Sequence, residues 1–287
     1  MKKVTEVGMK VLFFICALMS VFAVALICIF LFVNGVPAMA EIGVFDFLFG
    51  TKWAPSNIPA SYGIWPMIVG SLYVTAGALL IGVPIGLLTA IFMANYCPKP
   101  LYKVLKPAIQ LLAGIPSVVY GFFGLVVVVP FVRNNFGGTG SSILTASIIL
   151  GIMILPTIIE VTESSLRAVP SSYYEGAIGL GASHERAVFC TILPAAKSGV
   201  TAGIVLGIGR AIGETMAVAM IAGNQTVVPN SILSGARTLT TNIVMEMGYS
   251  TGLHREALIA TAVVLFVFIL LINLCCSALK NKSNSKA

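Results

Sequence analysis

Arg210 and Glu214 stand four residues apart inside an apolar run that extends from Gly199 to Ala222. A charge at membrane depth costs at least about 2.5 kcal/mol on insertion scales, so such residues need a reason to be there. On a helix, the i, i+4 spacing lets the two side chains meet. Gly199, Gly203 and Gly207 recur every four residues, and Ala211 continues the row. At about 100° per residue, Arg210 and Glu214 project within about 60° of Gly207. The charges therefore share a face with a small-residue seam along which helices pack closely, and they face protein or a pore rather than lipid. Two readings follow. Either the pair is a locked ion pair that fixes helix packing, or Arg210 lines a pathway and meets an anion while Glu214 restrains it at rest. A planar guanidinium donates paired hydrogen bonds to oxyanions, and a competing carboxylate would allow release.

The other reactive side chains suggest no catalytic or metal-binding set. The histidines are His184 and His254, and neither has cysteine or carboxylate partners at metal or triad spacing. Cys16, Cys28, Cys97, Cys190, Cys275 and Cys276 show no metal-like spacing and read as small hydrophobes. No Gly-x-x-x-x-Gly-Lys-Ser/Thr sequence cradles a nucleotide. The expectation is a protein that is not an enzyme, with no cofactor and no metal.

The elements that carry these residues are membrane spans. Of 287 residues, 58% are hydrophobic and 9% charged, and the mean hydropathy is +1.01. A soluble domain carries roughly a quarter charged residues. Six apolar runs, at about 11–33, 64–93, 108–132, 143–160, 199–222 and 257–279, are long enough to cross about 30 Å of hydrocarbon. They form one transmembrane domain over 1–287. The first run is too long for a signal-peptide core and has no convincing cleavage site, so it reads as a retained span.

Lys and Arg set the orientation. With the N-terminus in the cytoplasm, twelve lie inside (Lys2, Lys3, Lys10, Lys99, Lys103, Lys106, Arg167, Arg186, Lys197, Lys280, Lys282, Lys286) and four outside (Lys52, Arg133, Arg237, Arg255). Both termini are therefore expected in the cytoplasm. The net charge of +7 sits in small groups between spans rather than in a basic stripe, which argues against nucleic acid. Pro66, Pro84 and Gly114-Ile115-Pro116 interrupt spans, which suits moving or cavity-lining helices. Trp53, in the outer loop 34–63, reads as an interfacial anchor or a docking residue for an outer partner. In the loop 223–256, the stretch Ser231 to Met247 could form a short helix.

The loop 161–198 carries the densest local signals. Pro170 ends the preceding helix. Ser172 with Glu175 makes a capping box, a short helix runs from about Tyr173 to Leu180, and Gly181 is its left-handed stop. Ser183 caps a second helix that ends at Pro194. Tyr173, Tyr174, Ala177, Ile178 and Leu180 give this knob an apolar surface, fit either for a groove on another protein or for packing under its own spans.

The spacing Glu175-Gly176-Ala177, Gly181, Thr191, Leu193-Pro194 resembles the loop of permease subunits in binding-protein-dependent ABC importers: Glu-Ala-Ala, three residues, Gly, nine residues, Ile, one residue, Leu-Pro. Gly176 stands for the first Ala and Thr191 for the Ile. The resemblance implies a six-span, all-α, MetI-like permease whose cytoplasmic coupling helix docks on an ATPase, with Tyr173, Glu175, Gly176, Ala177, Gly181, Leu193 and Pro194 as coupling residues. Trp53-x-Pro55, Tyr62-Gly63 with Pro66, Gly114 to Gly121, Leu166 to Pro170 and Gly209 to Thr215 are similar to phosphate importer permeases of the PstC-like type. That likeness implies a second, related permease, two ATPase subunits and an extracytoplasmic phosphate-binding protein, all at the cytoplasmic (inner) membrane. Molybdate, sulfate and phosphonate are the competing cargoes. A passive anion channel would explain Arg210 and the glycine seam but not the 161–198 loop.

Overall fold

The structure is a computed structural model that describes residues 2–284; Lys286, counted above among the inner basic residues, lies outside them. The chain opens with α1 (Lys2–Ile42) and α2 (Val44–Phe49). A short hairpin follows, β1 (Trp53–Ala54) and β2 (Ser61–Tyr62), with Trp53 opposite Tyr62. Next come α3 (Trp65–Ile91), which runs on into a π-turn at Phe92–Tyr96, and α4 (Lys99–Gly114). A π-turn at Gly124–Val128 joins α5 (Ser117–Phe123) to α6 (Val129–Phe136), and α7 (Ile143–Arg167) follows. The loop region holds α8 (Ser171–Gly179), α9 (His184–Ala187), a π-turn at Val188–Ile192 and α10 (Leu193–Ala195). The chain continues through α11 (Lys197–Gly213), α12 (Met216–Ile221), α13 (Leu239–Met247) and α14 (Gly252–Asn284).

Among the described residues, five stretches are long and apolar enough to cross a membrane: Gly8–Ile42, Trp65–Tyr96, Ser117–Phe136, Ile143–Arg167 and Gly252–Cys275. The remaining run is divided between α11 and α12, on either side of a break at Glu214. The runs expected at 108–132 and 199–222 are therefore each interrupted. In the first, Pro116 holds Ile115 extended at ψ 126°, so α4 stops at Gly114 and α5 starts afresh. Residues 99–107, expected as loop, are helical, and the first span extends well beyond 11–33.

The α7 helix is the centre of the bundle, with two-thirds (67%) of its most apolar window buried. It lies between two glycine-bearing helices. A methyl group at Gly82 of α3 would come within 2.7 Å of Ile154, and one at Gly207 of α11 within 2.9 Å of Ile158. Gly199 and Gly203 likewise face Ser165 and Thr162 of α7. The seam expected from the four-residue glycine spacing is thus the α11–α7 contact, where missing side chains let backbones approach.

Apolar clusters close both ends of the bundle. At one end, Ala38, Phe47, Trp53, Ile64, Leu239 and Leu258 pack together beneath α13. Trp53 is only 6% exposed, so it is a core residue rather than an interfacial anchor or a docking residue. At the other end, Ile91, Leu166, Val188, Ile192 and Val200 pack behind α8.

Candidate functional site

Arg210 is half-buried in the last turn of α11, and its Nη1 donates to Thr157 Oγ1 across 3.5 Å. The expected contact with Glu214 is not made: among the described residues no carboxylate lies within 4.0 Å of Arg210. The reason is local. Helix α11 stops at Gly213, and Glu214 adopts an extended conformation with ψ 128°, so the i, i+4 relation no longer brings the two residues together. The Glu214 carboxylate instead accepts the Ala217 backbone N–H at 3.2 Å, which caps α12. Its backbone carbonyl accepts the Thr240 hydroxyl of α13 at 3.1 Å. The result is a guanidinium within the bundle with no carboxylate counter-charge, beside a broken span. An added side-chain carbon at Gly209 or Gly213 would meet no other part of this chain within 4 Å, so this part of α11 lies at the surface of the bundle. A guanidinium has the planar fork that suits paired hydrogen bonds to an oxyanion.

The 161–198 loop folds largely as its punctuation suggests. Pro170, at ψ 139°, separates α7 from α8. Gly181 has φ +84° and completes a Schellman motif: its N–H donates to the Ile178 carbonyl, and the Ala182 N–H donates to the Ala177 carbonyl. Ser183 caps α9 by accepting the Arg186 N–H at 3.3 Å. Two details differ from expectation. The capping box at Ser172 and Glu175 does not form, because α8 already begins at Ser171 and leaves Ser172 inside its first turn. Nor does Pro194 end the second helix. The π-turn at Val188–Ile192 shifts the backbone so that the proline ring is accommodated, and the helix ends at Ala195. A 70° bend then leads into α11.

Helix α8 has no buried residue. Tyr173 and Leu180 are 52% and 92% exposed, Glu175 and Gly176 are also exposed, and Ala177 is half-buried. Tyr174 turns inward and shares a 2.9 Å hydrogen bond with His184 Nδ1, which fastens α8 to α9. Leu193 is half-buried against the cluster behind α8, while Pro194 is exposed. Of the expected coupling residues, Tyr173, Glu175, Gly176 and Ala177 thus lie on α8, Gly181 at its stop, and Leu193 and Pro194 on α10, where Leu193 alone is anchored in the cluster.

Two buried glutamates have no counterpart among the expected site residues. Glu163 of α7 accepts hydrogen bonds from Tyr102, Lys106 and Arg167. Glu246 of α13 accepts from Trp53 Nε1 at 2.9 Å and from Arg237, and pairs with His254 Nε2 at 2.9 Å. Burial pushes the Glu246 pKa up, but the hydrogen bonds from Trp53, His254 and Arg237 outweigh it and hold the carboxyl below the ordinary glutamate range. Sequence gave a partial signal for the first: Glu163 and Arg167 have i, i+4 spacing. For the second there was none, since Trp53 and Glu246 are 193 residues apart. The described residues contain no group of three or more His, Cys, Asp or Glu side chains placed to hold a metal ion.

Comparisons with known proteins place this geometry. Residues 82–283 match the family described as binding-protein-dependent transport system inner membrane component. The "Probable ABC transporter permease protein YqgH" of Bacillus subtilis is 40% identical over 280 residues, covering 94% of this chain and 91% of that protein. The "Phosphate transport system permease protein PstC" of Mesorhizobium japonicum is 34% identical over 267 residues, covering 86% and 81%. Among solved structures, a bacterial alginate ABC transporter in complex with its alginate-bound periplasmic protein aligns with TM-score 0.64 at 17% identity, over 94% of each chain. The MetNI methionine ABC transporter in inward-facing conformations aligns with TM-score 0.57 at 20% identity, over 77% of this chain and 94% of that one. These two structures share the fold. Such a subunit works with a separate ATPase and a substrate-binding protein. The chain belongs to the binding-protein-dependent transport system inner membrane component family: it is a multi-pass permease subunit of an ABC importer, not an enzyme.

Proposed function

We propose that this permease passes inorganic phosphate, as one half of a pair with a second, related permease, driven by two ATPase subunits and fed by an extracytoplasmic phosphate-binding protein. The observation that carries the cargo is Arg210, a guanidinium within the bundle with no carboxylate within 4.0 Å among the described residues. A planar fork of that kind is suited to an oxyanion. The likeness to the Mesorhizobium phosphate permease supports phosphate over other oxyanions. Glu214 contributes by shaping the break beside Arg210 rather than by pairing with it.

In this reading α8 is the coupling helix. Its exposed Tyr173, Glu175 and Gly176 and its half-buried Ala177 meet the ATPase, Gly181 sets the turn, and Leu193 and Pro194 carry the motion into α11. The α8 end then faces the cytoplasm together with both chain termini, as the basic residues suggest.

The test is uptake and coupled ATP hydrolysis by the reconstituted complex with phosphate, sulfate or molybdate loaded on the binding protein. Phosphate is expected to drive both. Arg210→Ala is expected to lower phosphate uptake by about tenfold or more, the loss expected for one charge-assisted contact, with assembly unchanged. Uptake of sulfate or molybdate in place of phosphate, or full uptake by Arg210→Ala, sinks the cargo assignment.

A further inference from the structure

We infer that Glu163 is a positioning residue for energy coupling: its carboxylate makes α4 follow the movement of α8. The inference rests on the reading of α8 as the coupling helix. Glu163 is 1% exposed. Its Oε1 accepts from Tyr102 Oη at 2.8 Å and from Arg167 Nε at 2.5 Å, and its Oε2 accepts from Lys106 Nζ at 2.5 Å. Arg167 also donates from Nη2 to the Met93 carbonyl at 2.8 Å, and its guanidinium lies 4.4 Å from the centre of the Tyr102 ring. One carboxylate therefore gathers the end of α3, the middle of α4 and the end of α7.

The position of the knot gives it a mechanical meaning. Arg167 is the last residue of α7, and only Ala168, Val169 and Pro170 separate it from α8. Arg167, Pro170, Ser171, Tyr174 and His184 line a single cleft, so α8 and the knot are adjacent in space as well as in sequence. On its far side the knot holds α4, of which Ile109 is the one buried residue. Ile109, Tyr102 and Leu105 of α4 also pack against Ala90, Met93 and Ile159, and Tyr102 and Lys106 add the polar attachment to Glu163. Helix α4 leads to the Gly114-Ile115-Pro116 break, where Tyr120 of α5 donates to the Leu112 carbonyl at 2.9 Å. A buried carboxylate cannot part from its donors without being left uncompensated, so the joint is stiff. Displacement of α8 is delivered through Arg167 and Glu163 to α4, and from there to the break.

The experiment measures substrate moved per ATP hydrolysed by the complete importer in proteoliposomes. Glu163→Gln keeps the shape and removes the charge. It is expected to retain the ATPase on copurification and to keep hydrolysing ATP, while substrate moved per ATP falls by about tenfold, within the range for coupling networks. Glu163→Asp is expected to recover part of the ratio. An unchanged ratio in Glu163→Gln overturns the inference, as does a loss of uptake and hydrolysis in step with the amount of folded complex. If Glu163→Gln does not assemble, Tyr102→Phe removes one donor without changing a charge; a fall in the ratio of about twofold supports the inference and no fall overturns it. Gly181→Pro separates the two levels. ATPase that stays bound and active on Gly181→Pro sinks the reading of α8, whereas an unchanged ratio in Glu163→Gln sinks only the role of Glu163.

Discussion

Glu163 and Glu246 occupy opposite ends of the bundle and solve the same problem with different materials. Each is a buried carboxylate with three partners. Glu163 is held by two cations and a phenol, and the cations keep access to water: the Lys106 and Arg167 side chains are 26% and 45% exposed. Glu246 is held by one arginine, one histidine and an indole, and its partners are buried with it, Arg237 at 13% and His254 at 17%. The difference decides what happens when the carboxylate is lost. At the α8 end the cations can turn outward and be solvated. At the α13 end Arg237 keeps its hydrogen bonds to Asn224 and Asn242 but is left largely buried without a counter-charge. Loss of the carboxylate therefore costs less at the α8 end than at the α13 end, although both knots are stiff while intact.

Deleting the carboxylates tests this contrast most strongly. Glu246→Ala is expected to cost about 3–5 kcal/mol, the range for leaving one member of a buried pair alone. Glu163→Ala is expected to cost about 2 kcal/mol, the scale of lost charge-assisted hydrogen bonds. Thermal unfolding in detergent measures both, and equal losses would break the comparison. Acidification is the next lever. The folded-state pKa of Glu246 is depressed, so its contribution to stability is complete above the ordinary value of 4.5 and is lost as pH falls through the depressed value. The unfolding temperature of the parent is expected to fall over that window more steeply than that of Glu246→Gln; parallel curves would remove Glu246 as the cause. The smallest effect sharpens the picture of the α13 end. Trp53→Phe removes one of three partners and is expected to cost about 1 kcal/mol by thermal unfolding, because Arg237 and His254 remain.

Much of this architecture was legible because it is local. The apolar runs, the Gly181 stop and the Ser183 cap each depend on a few neighbouring residues, and each appears in the structure. The glycine spacing of α11 also told the truth about which face packs on α7. The Arg210–Glu214 contact was misread because i, i+4 geometry was carried across a place where the helix stops. Gly213 and Thr215 flank that stop, and both are weaker helix formers than alanine, but an apolar run through them hides the break. Trp53 was misread for a different reason: its partner Glu246 is 193 residues away, and no local pattern announces such a meeting. Sequence thus singles out Arg210 and the α8 surface as candidates, but not the two carboxylate knots at the ends of the bundle.

The π-turn at Val188–Ile192 gives the loop's spacing another meaning. A helix with one such turn holds an extra residue along the same path, and each residue advances the side-chain direction by about 100°. The nine residues between Gly181 and Thr191 are therefore a setting of rotational phase as well as of reach. Deleting one residue from Val188–Ile192 would leave the loop almost as long but turn Leu193 away from the cluster behind α8. Among related chains, a one-residue length change here acts as a rotation, and an alignment that absorbs it as a harmless gap would pair residues that point in different directions.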